Sequence, residues 1–305
     1  MIASNKVIQL KSVNKLYKKG NVIALNDVSC EICEGELVGV LGRNGAGKST
    51  MFKIIAGVLS DYSGKCEVFG NQSNRGNANV VSYLPETRGL NGRKDALEHL
   101  VDMVSFKGID RKKSKKNVLF WLEKFNMLDY QNSRIDSLSK GNQQKLQLIT
   151  SIACNPKILI LDEPFSGLDP ITVDFFWKIL LELKANGTTI IFSTHIFDDK
   201  MLECDKFIFI VKGEIKENGT LQQLNEKYPM VLELENDSLA IEMIKNKYGD
   251  ENVKLANGVL FIYIENESQA REIFDILSDK FSKRFYIRYM SLGEIFRKVN
   301  GIKNE

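Results

Sequence analysis

The chain opens with short segments in which apolar and polar residues alternate, and this pattern predicts an antiparallel β layer over residues 6–40. Farther along, apolar residues form continuous runs that stop at glycine, proline or acidic residues. Such runs are typical of strands buried inside an α/β core. They lie at residues 37–41, 80–84, 157–161 and 188–194. Residues 94–155 instead carry apolar residues at helical spacing, which predicts a helical insertion between the strands.

A second pattern begins near residue 220, where strand-like and helix-like segments alternate over shorter distances. The predicted strands are 230–235, 253–255, 259–264 and 285–290, and the predicted helices are 239–248, 268–281 and one that starts near Ser291. We therefore expect two domains: a larger one over residues 1–225 and a small α+β domain over residues 226–305.

The charge and composition of the chain indicate which kinds of binding partner it requires. The net charge of the 305 residues is only +3, so nothing in it requires nucleic acid or an anionic membrane as a partner. No apolar run approaches the length of about 18 residues that a membrane span needs, and the first residues do not resemble a signal peptide. We expect a cytosolic protein unless a partner holds it at a membrane. The Cys30-x-x-Cys33 pair lies in a strand-like segment, which favours a structural role.

The most informative motif follows the apolar run 37–41 and leads into a helical pattern. It has the form G-x-x-x-x-G-K-[ST], the phosphate-binding loop, in which backbone N–H groups and the start of a helix bind anions. Lys48 is predicted to reach the outer phosphates, and the Ser49 hydroxyl to bind Mg²⁺. The candidate nucleotide-binding residues are Gly42, Arg43, Asn44, Gly45, Ala46, Gly47, Lys48, Ser49 and Thr50.

Further polar residues follow two other buried runs. Asp162 and Glu163 come after the run 157–161, at the end of a strand where open α/β sheets place their ligands. Asp162 is suited to hold Mg²⁺ directly or through water, and Glu163 to orient or deprotonate an attacking water. His195 follows the run 188–194 and could contact a terminal phosphate.

Two other features have both a functional and a purely structural interpretation. Tyr17 could stack on a purine or only pack in an edge strand. Ser139 and Gly141 open a predicted helix, where a hydroxyl and unpaired N–H groups could receive an anion or simply cap the helix. The basic run 111–116 is interpreted as the solvated start of a helix.

Taken in order, these segments resemble the ATP-binding subunits of ATP-binding cassette (ABC) transporters. The resemblance covers about residues 5–225. It rests on the phosphate loop, Tyr83-Leu84-Pro85-Glu86, Leu138-Ser139-Lys140-Gly141-Asn142-Gln143, Asp162-Glu163-Pro164, Ser166-Gly167-Leu168-Asp169-Pro170 and Ser193-Thr194-His195. It implies an α/β fold: a P-loop domain with a RecA-like core, an antiparallel β subdomain and a helical subdomain at about residues 90–155.

The resemblance also implies the cofactors, ATP and Mg²⁺, and a role for each site residue. Tyr17 would stack on adenine, and residues 42–50 would hold the phosphates. Glu163 would be the catalytic base, assisted by His195 at the γ-phosphate. The implied metal-site residues are Ser49, Glu86 and Asp162.

The resemblance also implies that two cassettes pair with each other. Asp169 would lie at the dimer interface, while Ser139 and Gly141 would contact the ATP bound by the opposite subunit. Closure of this head-to-tail dimer would drive an integral membrane permease partner, and hydrolysis would reopen it. The protein would then be cytoplasmic and peripheral on the inner face of the cell membrane, with no nucleic acid partner.

The chain departs from the family pattern at two places. Glu86 replaces the usual glutamine, and a carboxylate can only accept hydrogen bonds. Lys140 and Asn142 replace residues of the usual L-S-G-G-Q signature, whereas Ser139 and Gly141 remain. The segment 83–90 is similar to an exporter branch that includes sodium-extruding (NatA-like) and drug-resistance cassettes.

Two other functions fit a cassette. A soluble ABC ATPase acting on nucleic acid or ribosomes would usually carry two cassettes or a long coiled-coil insertion, and this chain has neither. A binding-only module would normally lack Glu163 or His195, and both are present. The sequence therefore predicts an ATP-hydrolysing transporter subunit.

Overall fold

The computed structural model describes residues 5–18, 21–87, 89–235, 238–249, 252–256, 258–277 and 285–302. The chain forms two compact units, divided between Asn218 and Gly219. None of the described helices combines the length and the apolar composition needed to cross a lipid bilayer. Each unit is built around sheets of its own.

The strands of the described residues are β1 (Lys6–Tyr17), β2 (Val22–Cys33), β3 (Leu37–Leu41), β4 (Ser63–Val68), β5 (Asn71–Gln72), β6 (Val81–Leu84), β7 (Ile158–Leu161), β8 (Thr189–Thr194), β9 (Lys206–Val211), β10 (Glu214–Gly219), β11 (Met230–Glu235), β12 (Val253–Ala256), β13 (Val259–Ile264) and β14 (Phe285–Tyr289). The α-helices are α1 (Lys48–Ile55), α2 (Ala96–Ser105), α3 (Arg111–Lys124), α4 (Lys140–Ile152), α5 (Pro170–Ala185), α6 (Leu221–Lys227), α7 (Ser238–Tyr248), α8 (Glu267–Leu277) and α9 (Leu292–Val299).

The predicted β layer is a four-stranded sheet with the order β2-β1-β4-β5, and its long strands pair antiparallel. Its inner face is continuous with the core cluster that also includes Val38, Phe52 and Ile160. Cys30 is buried in β2, as the alternation of that strand predicted, and burial raises the pKa of its thiol to about 12.

The central sheet has the order β10-β9-β3-β8-β7-β6. The strands from β9 to β6 run parallel, with Leu41 opposite Thr194 and Leu84 opposite Leu161. Their residues are almost fully buried, which explains the continuous apolar runs. Because parallel strands end at a common edge, the residues that follow β3, β6, β7 and β8 lie together there. The predicted α/β fold is confirmed.

The helical insertion consists of α2, α3 and α4. Asp110 caps α3 by accepting hydrogen bonds from the backbone N–H groups of Lys112 and Lys113, at 2.9 and 3.1 Å. The basic side chains of residues 111–116 are exposed, so this run is the solvated helix start that the sequence predicted. Helix α5 starts at Pro170, because Asp169 caps it and proline is favourable in a first turn.

The second unit contains a β-α-β-β-α-β arrangement in which a four-stranded antiparallel sheet has the order β12-β13-β11-β14. This is the split β-α-β topology. The element order was predicted, but the pairing of β11 between β13 and β14 was not. The last residues of the predicted helix 268–281 lie outside the described part of the chain.

A partly buried ion-pair network joins this sheet to α9. The Arg288 guanidinium donates to Glu233 at 2.6 Å and to both carboxylate oxygens of Glu294, at 2.7 and 3.0 Å. Glu294 also accepts hydrogen bonds from the backbone N–H and the hydroxyl of Ser291. Burial raises the pKa of Glu294, but the hydrogen bonds from Arg288 and Ser291 outweigh it and hold that pKa below its usual value.

We expect Glu294→Gln to weaken the second unit by about 1–3 kcal/mol, because the substitution leaves Arg288 with one carboxylate fewer. Since the folded-state pKa of Glu294 is lowered, its contribution is present above the unfolded-state pKa and is lost as the pH falls through the folded value. Hydrogen exchange of residues 285–299 at pH 7 and at pH 4 measures the loss of stability and its dependence on pH. The exposed Glu265→Gln is the control, and equal protection in both variants at pH 7 would contradict the prediction.

Candidate nucleotide-binding site

The phosphate loop, residues 42–50, connects the end of β3 to the start of α1. Its turn depends on glycine at two close approaches. Gly47 has φ +113°, and a Cβ there would lie 2.4 Å from the carbonyl oxygen of Ala24. A Cβ on Gly42 would lie 2.7 Å from the carbonyl oxygen of Ile210. The loop therefore presents backbone N–H groups at the start of a helix, an arrangement that binds anions.

Lys48 lies at the centre of the site and is buried. Its ammonium donates a hydrogen bond to the carbonyl oxygen of Gly42 at 2.7 Å. The same nitrogen lies 3.3 Å from Oε1 of Glu163, which is also buried. This ion pair joins the phosphate loop to the residue that follows β7 by two positions. The parallel sheet has thus brought together two residues that are far apart in the sequence.

Glu163 is held in an unusual conformation. Its backbone has φ +50°, a left-handed value that glutamate rarely adopts. Its N–H donates to the hydroxyl oxygen of Ser193 at 2.9 Å, and its Oε2 lies 2.9 Å from Nδ1 of His195. Its Oε1 is buried, lies 3.3 Å from the Lys48 ammonium and has no hydrogen-bond partner among the described residues. A buried carboxylate oxygen with free acceptor capacity is suited to take a hydrogen bond from a reacting water.

Asp162 is buried beside Glu163 and is held by two hydroxyl groups. Ser193 donates to Oδ1 at 2.7 Å, and the Tyr83 hydroxyl donates to Oδ2 at 3.3 Å. Burial, followed by the negative charge of Asp162, raises the pKa of Tyr83, so that Tyr83 remains a neutral donor. Oxygen atoms of this kind suit Mg²⁺, which binds few protein groups together with waters and substrate phosphates. Asp162 and the half-buried Ser49 therefore fit the predicted metal, with Asp162 oriented by its neighbours.

Tyr17 lies at the end of β1, next to the phosphate loop. Its hydroxyl is 3.4 Å from the hydroxyl of Thr50, and the Lys15 ammonium lies 5.0 Å from the centre of its ring. The half-buried ring is therefore adjacent to the loop that is predicted to bind phosphate. Stacking on adenine remains a prediction.

The other predicted site residues lie at helix starts or on the surface. Ser139 is exposed and caps α4 by accepting a hydrogen bond from the N–H of Asn142 at 3.2 Å. A Cβ added at Gly141 would point into open space. Asp169 caps α5 through Thr172, whose hydrogen bonds lower the pKa of that carboxyl. Glu86 is exposed just beyond β6. Within the described residues, no hydrogen bond or ion pair joins these four to the phosphate loop.

Sequence reasoning missed the two side chains that orient the acids. Ser193 links Asp162 to the backbone of Glu163, and Tyr83 holds the other oxygen of Asp162. The signal for Ser193 was a hydroxyl residue within an apolar strand, where a buried polar group needs a partner. For Tyr83, the signal was its position near the carboxyl end of β6.

Comparisons with known proteins agree with this geometry. Residues 25–166 match the family model described as "ABC transporter". An uncharacterized ABC transporter ATP-binding protein of Bacillus subtilis, YhaQ, is 34% identical over 298 residues, which cover 97% of this chain and 99% of that protein. The ABC transporter ATP-binding protein NatA of the same organism is 37% identical over 214 residues, covering 68% of this chain and 87% of NatA.

Solved structures of ABC transporter cassettes also superpose on this chain. A structure of an ATP-binding subunit of an ABC transporter superposes with a TM-score of 0.66 at 29% identity, covering 72% of this chain and 92% of that one. The ATP-binding cassette MJ0796, a dimer in a post-hydrolysis state with ADP and Pi, superposes with a TM-score of 0.65 at 26% identity, covering 70% of this chain and 98% of that one. The chain belongs to the family of ABC transporter ATP-binding proteins and is an ABC ATPase.

Proposed function

We propose that this chain powers an exporter: two copies pair head to tail around two ATP molecules, and their closure drives a membrane permease. The observation that carries the proposal is the Lys48–Glu163–His195 cluster beside the phosphate loop. At one edge of the sheet, Lys48 supplies a cation that can bind phosphate, Glu163 supplies a carboxylate that can accept a proton from water, and His195 supplies an imidazole. These are the groups that phosphoryl transfer to water requires.

The chemical step follows from these positions. Lys48 contacts the loop carbonyl of Gly42 and the carboxylate of Glu163, so its ammonium is directed into the space that the phosphates would fill. The oxygen of the attacking water bonds to the γ-phosphorus as the bond from that phosphorus to the bridging oxygen breaks, and ADP is the leaving group. Glu163 accepts the proton of the water, and His195 holds the carboxylate and contacts the γ-phosphate. When bound, Mg²⁺ would neutralise phosphate charge, with Ser49, Glu86 and Asp162 as its protein-side partners.

A second subunit completes the site in this proposal. The outer side of the γ-phosphate faces away from the phosphate loop, and the exposed start of α4 offers the hydroxyl of Ser139 and the N–H of Gly141. These groups would stabilise the charge on the transferred phosphoryl group if they came from a partner cassette. Asp169, exposed at the start of α5, would lie in the same interface. The dimeric state of MJ0796 supports this arrangement.

The transport role places the protein on the cytoplasmic side of the membrane, bound to an integral membrane permease. Export as the direction is supported by the form of residues 83–90, which is similar to that of the exporter branch. A soluble ATPase acting on nucleic acid or ribosomes is less well supported, because the net charge is only +3 and the helices of the insertion have 10 to 14 residues.

We expect Glu163→Gln to lower kcat for ATP hydrolysis by about a hundredfold or more, since an amide cannot accept the proton of water. ATP should still bind, and the variant should accumulate as a dimer with ATP and Mg²⁺, measured by light scattering after size-exclusion chromatography. Glu98→Gln, an exposed glutamate of α2, is the control. Hydrolysis at the parent rate, or a monomer at saturating ATP, would contradict the assignment.

Lys48→Ala should weaken ATP binding by at least about tenfold, because a buried charged donor to the phosphates is removed. ATP raises the melting temperature of a protein that binds it in the folded state. At one ATP concentration, the shift should therefore be equal in the parent and in Lys53→Ala but smaller in Lys48→Ala. If ATP stabilises Lys48→Ala as much as the parent, residues 42–50 do not form the phosphate site.

The transport role is tested with the membrane protein that co-purifies with the full chain. In inside-out vesicles, where ATP reaches the cytoplasmic face, an exporter accumulates its solute inside the vesicle. We expect ATP-dependent accumulation of those solutes that stimulate hydrolysis, and none with Glu163→Gln. Solute loss from loaded vesicles would instead indicate import.

A further inference from the structure

One side chain of α4 connects the start of that helix to the loop that follows Glu163. The Gln144 amide nitrogen donates a hydrogen bond to the carbonyl oxygen of Ser166 at 2.9 Å and lies 3.5 Å from the carbonyl oxygen of Pro164. Gln144 is half-buried, one turn after the Ser139 cap of α4. A single amide nitrogen thus faces two carbonyl oxygens of the loop backbone.

The loop 163–169 is fixed at both ends. It starts at Glu163, which has left-handed backbone geometry, and it ends at Asp169, which caps α5. Between them, the N–H of Ser166 donates to the carbonyl of Glu163 at 3.2 Å, and Phe165 is buried against other aromatic rings. The loop therefore has little freedom of its own, and a displacement of Ser166 would be transmitted to Glu163.

We propose that Gln144 is a positioning residue that couples the two ATP sites of the dimer, an inference that rests on the proposed function. In each subunit, Ser139 and Gly141 would contact the ATP of the partner, whereas Glu163 acts on the subunit's own ATP. Gln144 lies on α4, the helix that Ser139 and Gly141 open. Its side chain contacts the loop that starts at Glu163. When the partner's ATP fixes the start of α4, Gln144 fixes Ser166 and with it the orientation of Glu163.

Three substitutions separate this role from simple packing. Gln144→Glu keeps the shape but places a carboxylate oxygen against two carbonyl oxygens, so the contact becomes repulsive. Gln144→Ala removes the contact. Gln144→Lys keeps an N–H donor at the end of a long chain and is the conservative rescue.

The measurement is steady-state ATP hydrolysis by the full chain as a function of ATP concentration, with dimerisation followed in parallel. We expect the parent and Gln144→Lys to show a Hill coefficient above 1. Gln144→Glu and Gln144→Ala should show a lower Hill coefficient than the parent and a kcat lowered about fivefold to tenfold, the effect of about one hydrogen bond. The ATP concentration that gives half the maximal thermal shift should not change, because Gln144 does not touch the phosphate loop.

Several results would overturn the inference. They are a Hill coefficient of 1 in the parent, an unchanged Hill coefficient in Gln144→Glu, or an equal loss of kcat in Gln144→Lys. Each of these can occur while the parent still forms ATP-dependent dimers, and then only the coupling role fails. If the parent never pairs at saturating ATP, the proposed function itself fails.

Discussion

The contact between Lys48 and Glu163 is the interaction on which the site depends. Buried ion pairs contribute little net stability, because removing two charges from water costs about as much as their attraction returns. This pair is better understood as a positional constraint. It holds the phosphate loop against the end of β7, where both side chains are buried. Lys48 also donates a hydrogen bond to the carbonyl oxygen of Gly42, and Oε2 of Glu163 contacts His195, whereas Oε1 of Glu163 makes no hydrogen bond with the described residues.

The pair exists only because of the parallel sheet. Residues of β3 and β7 that are more than a hundred positions apart end at one edge, and β8 between them delivers Ser193 and His195. Ser193 then binds the carboxylate of Asp162 and the backbone of Glu163 at once. The geometry of the candidate site is therefore a property of the sheet register, and a shift of β8 by one residue would turn Ser193 away from both acids.

Much of the fold could be predicted because local patterns specify it. Continuous apolar runs identified the buried strands, and the phosphate loop combines its own turn, anion site and helix start in nine residues. Other features depend on partners far away in the sequence. The hydroxyl of Tyr83, the amide of Gln144 and the guanidinium of Arg288 each find carbonyl or carboxylate oxygens that only the folded chain brings near. No spacing rule in the sequence connects these pairs, so pattern analysis could not find them. The antiparallel pairing of the second unit was missed for the same reason.

The left-handed backbone of Glu163 has a consequence for how the protein tolerates change. A side chain with a Cβ in this conformation costs on the order of 1 kcal/mol that glycine would not. The chain therefore accepts a local strain at the position of the proposed catalytic carboxylate. A glycine there would relieve the strain but would remove the proposed base, so selection for thermal stability alone would favour a variant that lacks it. Under the proposed role, the need for ATP hydrolysis is what retains the glutamate.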